Sequence, residues 1–177
     1  MDIHFVPPEL SGLKNPIGMM CAPGLRRPLE HDLDELLQVH QARLLVTLVS
    51  PPELDTLHLR RLPDELKKRQ IEALYFPIDN FGTPDSLKKL DALVSRVVNT
   101  ANSGNTPVLH CWAGLGRTGL VAASCLVACG FDPLEAIRTV RRLRPRTIEN
   151  EDQEDFVIAY AGLLRANALQ DEGESER

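Results

Sequence analysis

Between Val108 and Gly119 the chain reads Val-Leu-His-Cys-Trp-Ala-Gly-Leu-Gly-Arg-Thr-Gly, and no other stretch limits the possible folds so tightly. The apolar run into Cys111 is the pattern of a buried strand, and the apolar run after Gly119 is that of a helix. Only a short, glycine-rich loop separates them. A loop that curls from a strand straight into a helix N-terminus brings several backbone N–H groups together and makes a cradle for an anion. Gly114, Gly116 and Gly119 permit the positive φ angles and close approach that such a cradle needs. Arg117 adds a planar fork for two oxygens of a phosphate. The same dipole and N–H groups stabilise a thiolate at Cys111, which makes it a nucleophile at neutral pH.

The surrounding pattern is an alternation of strands and helices. Short apolar, β-branched runs at Ile17 to Cys21, Arg43 to Val49, Ala73 to Ile78 and Pro107 to Cys111 predict strands. Leu29 to Gln41 and Ser86 to Asn102 repeat apolar residues at helical spacing. Such alternation predicts an α/β fold: a central, mostly parallel sheet flanked by helices. After Cys111 the alternation stops. Helices are expected at Thr118 to Cys129, at Pro133 to Leu143 with Asp132 as N-cap, and from about Glu151 to Leu169, so the last third is all-helical. The segment Gly-Leu-Gly-Arg-Thr-Gly also matches the dinucleotide fingerprint G-x-G-x-x-G, but that fold needs another strand after the helix, and here a second helix follows.

With 177 residues, 43% of them hydrophobic and 25% charged, the chain suits one domain, expected over 1–169, with a charged, disordered tail at 170–177. The net charge of -5 argues against nucleic acid as a partner, and no stretch is long and apolar enough to span a membrane. The start lacks the layout of a signal peptide, so a cytoplasmic location is expected. Cys21, Cys111, Cys125 and Cys129 show neither metal-site spacing nor a disulfide pattern, and Cys125 and Cys129 fall on one helix face as core thiols. Nothing in the sequence fixes an oligomeric state. Arg138, Arg141, Arg142, Arg144 and Arg146 form a local basic cluster, either solvated charge at a helix C-terminus or a rim that attracts acidic phosphopeptides.

The run His-Cys-Trp-Ala-Gly-Leu-Gly-Arg-Thr-Gly contains the C-x-x-x-x-x-R signature of the cysteine-dependent protein tyrosine and dual-specificity phosphatases. Gly18 to Gly24, the strand Leu-Leu-Val-Thr-Leu-Val, the segment FPIDNFGTPD and the segment RPRTIENEDQEDFV resemble the kinase-associated phosphatases and their short relatives, so the likeness extends over roughly residues 17 to 165. It implies hydrolysis of phosphotyrosine, and of phosphoserine or phosphothreonine, in a phosphorylated protein or peptide through a phosphocysteine on Cys111, with no metal or organic cofactor. His110, Trp112, Ala113, Gly114, Leu115, Gly116 and Arg117 would form the phosphate loop. Thr118 would hydrogen-bond the sulfur, and Gln153 falls where relatives carry a glutamine that positions water.

One position departs from the family. Aligned on Gly82-Thr83-Pro84, the aspartate that serves as general acid falls on Asn80, and an amide cannot donate a proton as a carboxylic acid does. Asp79 is the first replacement to consider; Asp85 or no acid at all are the alternatives. Loss of the acid would hurt alkyl leaving groups more than a phenolate, which favours phosphotyrosine. Two other readings stand beside this one. A phosphoinositide phosphatase is disfavoured because Trp112, Ala113 and Leu115 are apolar where such relatives hold lysines. A phosphoprotein-binding module draws support from Asn80 but has no need of Cys111, Arg117 and Thr118.

Overall fold

The computed structural model describes residues 1–175 and the side chains of residues 1–170. In chain order the elements are β1 (Ile3–Val6), α1 (Pro8–Ser11), β2 (Ile17–Met20), α2 (Leu29–Gln38), β3 (Ala42–Thr47), α3 (Pro51–Thr56) and α4 (Leu62–Lys68). They continue as β4 (Glu72–Tyr75), α5 (Leu87–Asn102), β5 (Thr106–His110), α6 (Gly116–Ala128), α7 (Pro133–Leu143) and α8 (Glu151–Ser175). The five strands form one sheet in the order β1-β2-β5-β3-β4. Only the β1–β2 pair is antiparallel. β5 lies at the centre, so its carboxyl end opens on the middle of the sheet, where open α/β folds bind ligands.

Alternation along the strands divides the core into two layers. Leu44 and Val46 of β3 and Leu109 of β5 face the layer built by Leu90, Val94 and Val97 of α5, Leu120 and Val121 of α6, and Tyr160 of α8. Ala42, Leu45 and Val108 face the opposite layer, with Leu33 and Leu36 of α2 and Leu62 and Leu66 of α4. A strand buried on both faces reads as a continuous apolar run, which is why β3 and β5 stand out in the sequence. α6 is buried along its length, including the thiol of Cys125. Burial pushes that thiol far above the ordinary range, so it is an inert core group.

The α/β class, the mostly parallel sheet and the all-helical C-terminal third agree with the sequence. α7 has the expected bounds, with Asp132 accepting from the N–H groups of Leu134 and Glu135. Differences lie at the ends and in the short pieces. α6 begins at Gly116 rather than Thr118, α2 ends at Gln38 rather than Gln41, and β1, α1, α3 and α4 were not expected. α8 runs through Ser175, so the loose tail expected from 170 begins inside a helix, while Glu176 and Arg177 lie outside the described residues. No described helix is long and apolar enough to cross a membrane.

Candidate active site

Cys111 follows β5 directly and α6 opens five residues later, so the expected strand, loop and helix are one continuous unit. Cys111 is only 3% exposed and lies in a cleft of about 500 Å³, which Trp112, Ala113 and Arg117 also line. The remaining lining comes from three separate segments: Ser50 and Glu53, Asn80 and Phe81, and Glu149. The N–H group of Gly119 bonds the carbonyl of Leu115, and the N–H groups of Gly116, Arg117 and Thr118 at the start of α6 have no intrahelical acceptor. These are the donors an anion would meet.

The loop is held from beneath by buried partners. Gly114 has φ +72°, and a Cβ there would come 2.3 Å from the carbonyl oxygen of Met20, so only glycine fits where the loop crosses the end of β2. Gly116 and Gly119 do not adopt positive φ; they are needed for close approach instead, Gly119 against Thr147 and Ile148. His110 is fully buried, with Nδ1 donating to the carbonyl of Cys111 at 3.1 Å and Nε2 accepting from the Thr47 hydroxyl at 2.8 Å. Desolvation pushes its pKa down to about 4, so the ring is neutral, and with its one N–H on the Cys111 carbonyl it props the loop.

Arg144 is the unforeseen part of this support. It is 5% exposed, not solvated. Its Nε donates to the carbonyl of Gly114 at 2.7 Å, and one terminal nitrogen donates to that of Ala113 at 3.1 Å. The carboxylate of Asp2 neutralises it from the other side, and this bond holds the Asp2 carboxyl below its usual range. Three more of the cluster are also engaged, Arg141 donating to the carbonyls of Thr147 and Ile148 and pairing with Glu154, and Arg138 and Arg142 pairing with Glu135, whereas Arg146 is exposed. None of the five lines the cleft that holds Cys111.

Arg117 is 2% exposed, and Glu53 of α3 grips it through two bonds of 2.6 and 2.9 Å. It also donates to the carbonyl of Ile78 at 2.9 Å and to the side-chain oxygen of Asn80 at 3.3 Å. Burial opposes its charge, yet Glu53 and the Cys111 sulfur beside it raise its pKa above the usual value. Glu53 is held in turn by the backbone of Ser50 at 2.7 Å, in a capping box that starts α3. Burial would raise its pKa, but Arg117 and Ser50 together lower it, so Glu53 stays a carboxylate. The sequence did carry a signal for it: Ser-Pro-Pro-Glu, the S-x-x-E pattern of a helix start.

The loop from Ile78 to Asp85 overhangs the cleft, but its acids do not line it. Asp79 and Asp85 are exposed, and Asp85 pairs with Lys89. Asn80 and the exposed ring of Phe81 are the residues it contributes. Gln153 is fully buried: its Oε1 accepts from the N–H of Glu149 at 2.9 Å and its Nε2 donates to the carbonyl of Gly82 at 3.1 Å. It therefore straps the 149 segment to the 78–85 loop, and it does not line the cleft. Thr118 is fully buried, and its hydroxyl has no hydrogen-bond partner among the described residues. Leu115 lies in a shallow neighbouring depression shared with Phe81 and Glu149.

A family model described as the Swiss Army Knife protein, DSP-PTPase phosphatase domain, matches residues 16–157. The chain belongs to the DSP-PTPase family. Among similar proteins, an uncharacterized protein of Methanocaldococcus jannaschii is 34% identical over 114 residues, covering 63% of this chain and 70% of that one. Cyclin-dependent kinase inhibitor 3 of Rattus norvegicus is 25% identical over 174 residues, covering 94% and 81%. A crystal structure of kinase-associated phosphatase, with serine in place of its catalytic-site cysteine, superposes with a TM-score of 0.85 at 23% identity over 94% of this chain and 97% of that chain. That likeness concerns the fold. The DSP-PTPase assignment accounts for a cysteine, an arginine and a helix N-terminus meeting in one cleft.

Proposed function

We propose that this DSP-PTPase domain hydrolyses phosphotyrosine in phosphorylated proteins or peptides, and phosphoserine or phosphothreonine more slowly, through a phosphocysteine on Cys111. The observation that carries the reading is the convergence of Cys111 and Arg117 on one cleft at the N-terminus of α6. The substrate phosphate sits against the first-turn N–H groups and accepts from the Nε–H of Arg117, which has no partner among the described residues, while Glu53, Ile78 and Asn80 hold the two terminal nitrogens in place. The Cys111 thiolate attacks phosphorus as the bond to the leaving oxygen breaks. Water then attacks the phosphocysteine, the S–P bond breaks, and phosphate leaves. Thr118, with its buried and otherwise unpartnered hydroxyl, supplies a donor for the sulfur as the thiolate re-forms.

Phe81 and Trp112 support the aryl preference, because they give the cleft two aromatic surfaces beside the nucleophile. A cytoplasmic location suits the chemistry, since a reducing compartment keeps the nucleophile a thiol. The experiment is kcat/KM on phosphotyrosine and phosphothreonine peptides of otherwise identical sequence, with Cys111→Ser as control. The reading predicts at least a roughly tenfold preference for phosphotyrosine and no turnover by the serine variant. Equal rates on the two peptides, or turnover by Cys111→Ser, contradict it.

A further inference from the structure

The cleft holds two carboxylates, Glu53 and Glu149, and they are in opposite situations. Glu53 is locked on Arg117 and kept ionised, so it has no proton to give. Glu149 makes no ion pair or side-chain hydrogen bond among the described residues. Its carboxylate lies against the backbone of Gly116 at the start of α6: a Cβ on Gly116 would sit 2.2 Å from Oε2. The side chain thus occupies the edge of the phosphate loop, in a place that a side chain at position 116 would crowd.

The backbone that delivers Glu149 there is strained and braced. Ile148, a β-branched residue, has φ +59°, and Arg146 has φ +67°. The carbonyls of Thr147 and Ile148 are gripped by Arg141, the side chain of Ile148 is buried, and the N–H of Glu149 is fixed by Gln153. Non-glycine residues held in left-handed conformations by this many contacts cluster at functional sites. Asp79, Asp85 and Glu149 are all exposed, but of the three only Glu149 lines the cleft, where the 78–85 loop contributes the amide of Asn80 and the ring of Phe81.

We propose that Glu149 is the general acid and base of this site, in place of an aspartate on the 78–85 loop. In the first step the Glu149 carboxyl proton passes to the leaving oxygen as Cys111 takes the phosphoryl group. In the second step the Glu149 carboxylate accepts a proton from the water that attacks phosphorus, and the S–P bond breaks. The assignment rests on the phosphocysteine reading above. The charged and titratable groups around Glu149 are Cys111 and Arg117 of the phosphate loop, Glu53 of α3, Arg141 of α7 and Arg146 of its own loop.

The test is the pH dependence of kcat for wild type, Glu149→Gln, Glu149→Asp and Asp79→Asn on phenyl phosphate and on p-nitrophenyl phosphate, whose leaving group needs less protonation. Glu149→Gln is expected to lose the basic limb and roughly 10²-fold in kcat on phenyl phosphate, with a fall under about tenfold on p-nitrophenyl phosphate. Glu149→Asp regains part of the phenyl phosphate rate, and Asp79→Asn keeps the basic limb. A Glu149→Gln enzyme with the wild-type limb and leaving-group dependence overturns the assignment, as does loss of the limb in Asp79→Asn instead. Failure of the underlying reading shows separately, as turnover that survives Cys111→Ser.

Discussion

The phosphate loop and the two loops that overhang it are built differently. The phosphate loop is fixed from below by groups with almost no exposure: His110 on the Cys111 carbonyl, Arg144 on the carbonyls of Ala113 and Gly114, and the end of β2 against Gly114. The overhanging loops are held by single side chains that reach their backbone from outside: Asn150 on the carbonyl of Phe81, Gln153 on the carbonyl of Gly82 and the N–H of Glu149, Arg141 on the carbonyls of Thr147 and Ile148, and Arg117 on the carbonyl of Ile78. The first must hold a nucleophile and an anion cradle within tenths of an ångström. The second only has to bring a proton donor to the cleft. That second task is open to any segment that reaches the rim, and here the 149 segment reaches it with a carboxylate while the 78–85 loop does so with Asn80 and Phe81.

The largest expected effect comes from the one residue that joins both regions. Arg117 ties the phosphate loop to Glu53, Ile78 and Asn80, and an ammonium cannot reproduce those divergent contacts. Arg117→Lys should lower kcat/KM on aryl phosphates roughly 10³-fold. A loss below about tenfold would mean that the arginine holds the loops and does not stabilise the reacting phosphate.

Acid should undo the support beneath the loop. His110 has its folded pKa depressed to about 4 by burial, against about 6.5 when unfolded, so the unfolded chain takes up the proton first as pH falls. The stability it confers is complete above about pH 6.5 and declines by about 3 kcal/mol as pH falls to about 4. Denaturant unfolding of wild type and His110→Gln across that window checks this, since the variant should lack that part of the decline.

Gly116→Ala sharpens the comparison further. Its methyl group would push away the carboxylate of Glu149 and press on the carboxamide of Gln153 at 3.0 Å, with the identities of Glu149, Cys111 and Arg117 unchanged. A fall of roughly 10²-fold on phenyl phosphate with a much smaller fall on p-nitrophenyl phosphate is expected. Equal falls on both would place the damage in the cradle instead. The smallest effect belongs to Asn150→Ala, which removes the bond to Phe81 and the N-cap bond to Gln153 at 2.9 Å. A cost of about 1 kcal/mol in unfolding free energy, with the Cys111-dependent chemistry retained, fits an overhang held by a few bonds.

The contrast also explains what the sequence could reveal. Cys111, Arg117 and the loop glycines are contiguous, and each is demanded by local backbone geometry, so the motif exposes them. The strands β3 and β5 are legible because burial on both faces makes them unbroken apolar runs. β1 is a four-residue edge strand with too few positions to show a period. Glu53 meets Arg117 across 64 residues of sequence and Arg144 meets Gly114 across 30; the S-x-x-E pattern marks Glu53 as a helix start but not as Arg117's partner, and nothing local marks Arg144. Arg144 looked like one member of a solvated basic cluster because charge alone does not tell a buried arginine from an exposed one. The family pattern drew attention to the 78–85 loop, whereas Glu149 reaches the cleft through a backbone conformation that no residue type announces.

The central claim is that Cys111 carries the phosphoryl group. Wild-type protein mixed with an aryl phosphate and quenched in acid within the first turnovers, then digested for mass spectrometry, tests it directly. The account predicts one added phosphoryl group on the peptide containing Cys111, accumulating further in Glu149→Gln because the second step slows. Turnover with no phosphoryl group on that peptide in either protein would contradict it.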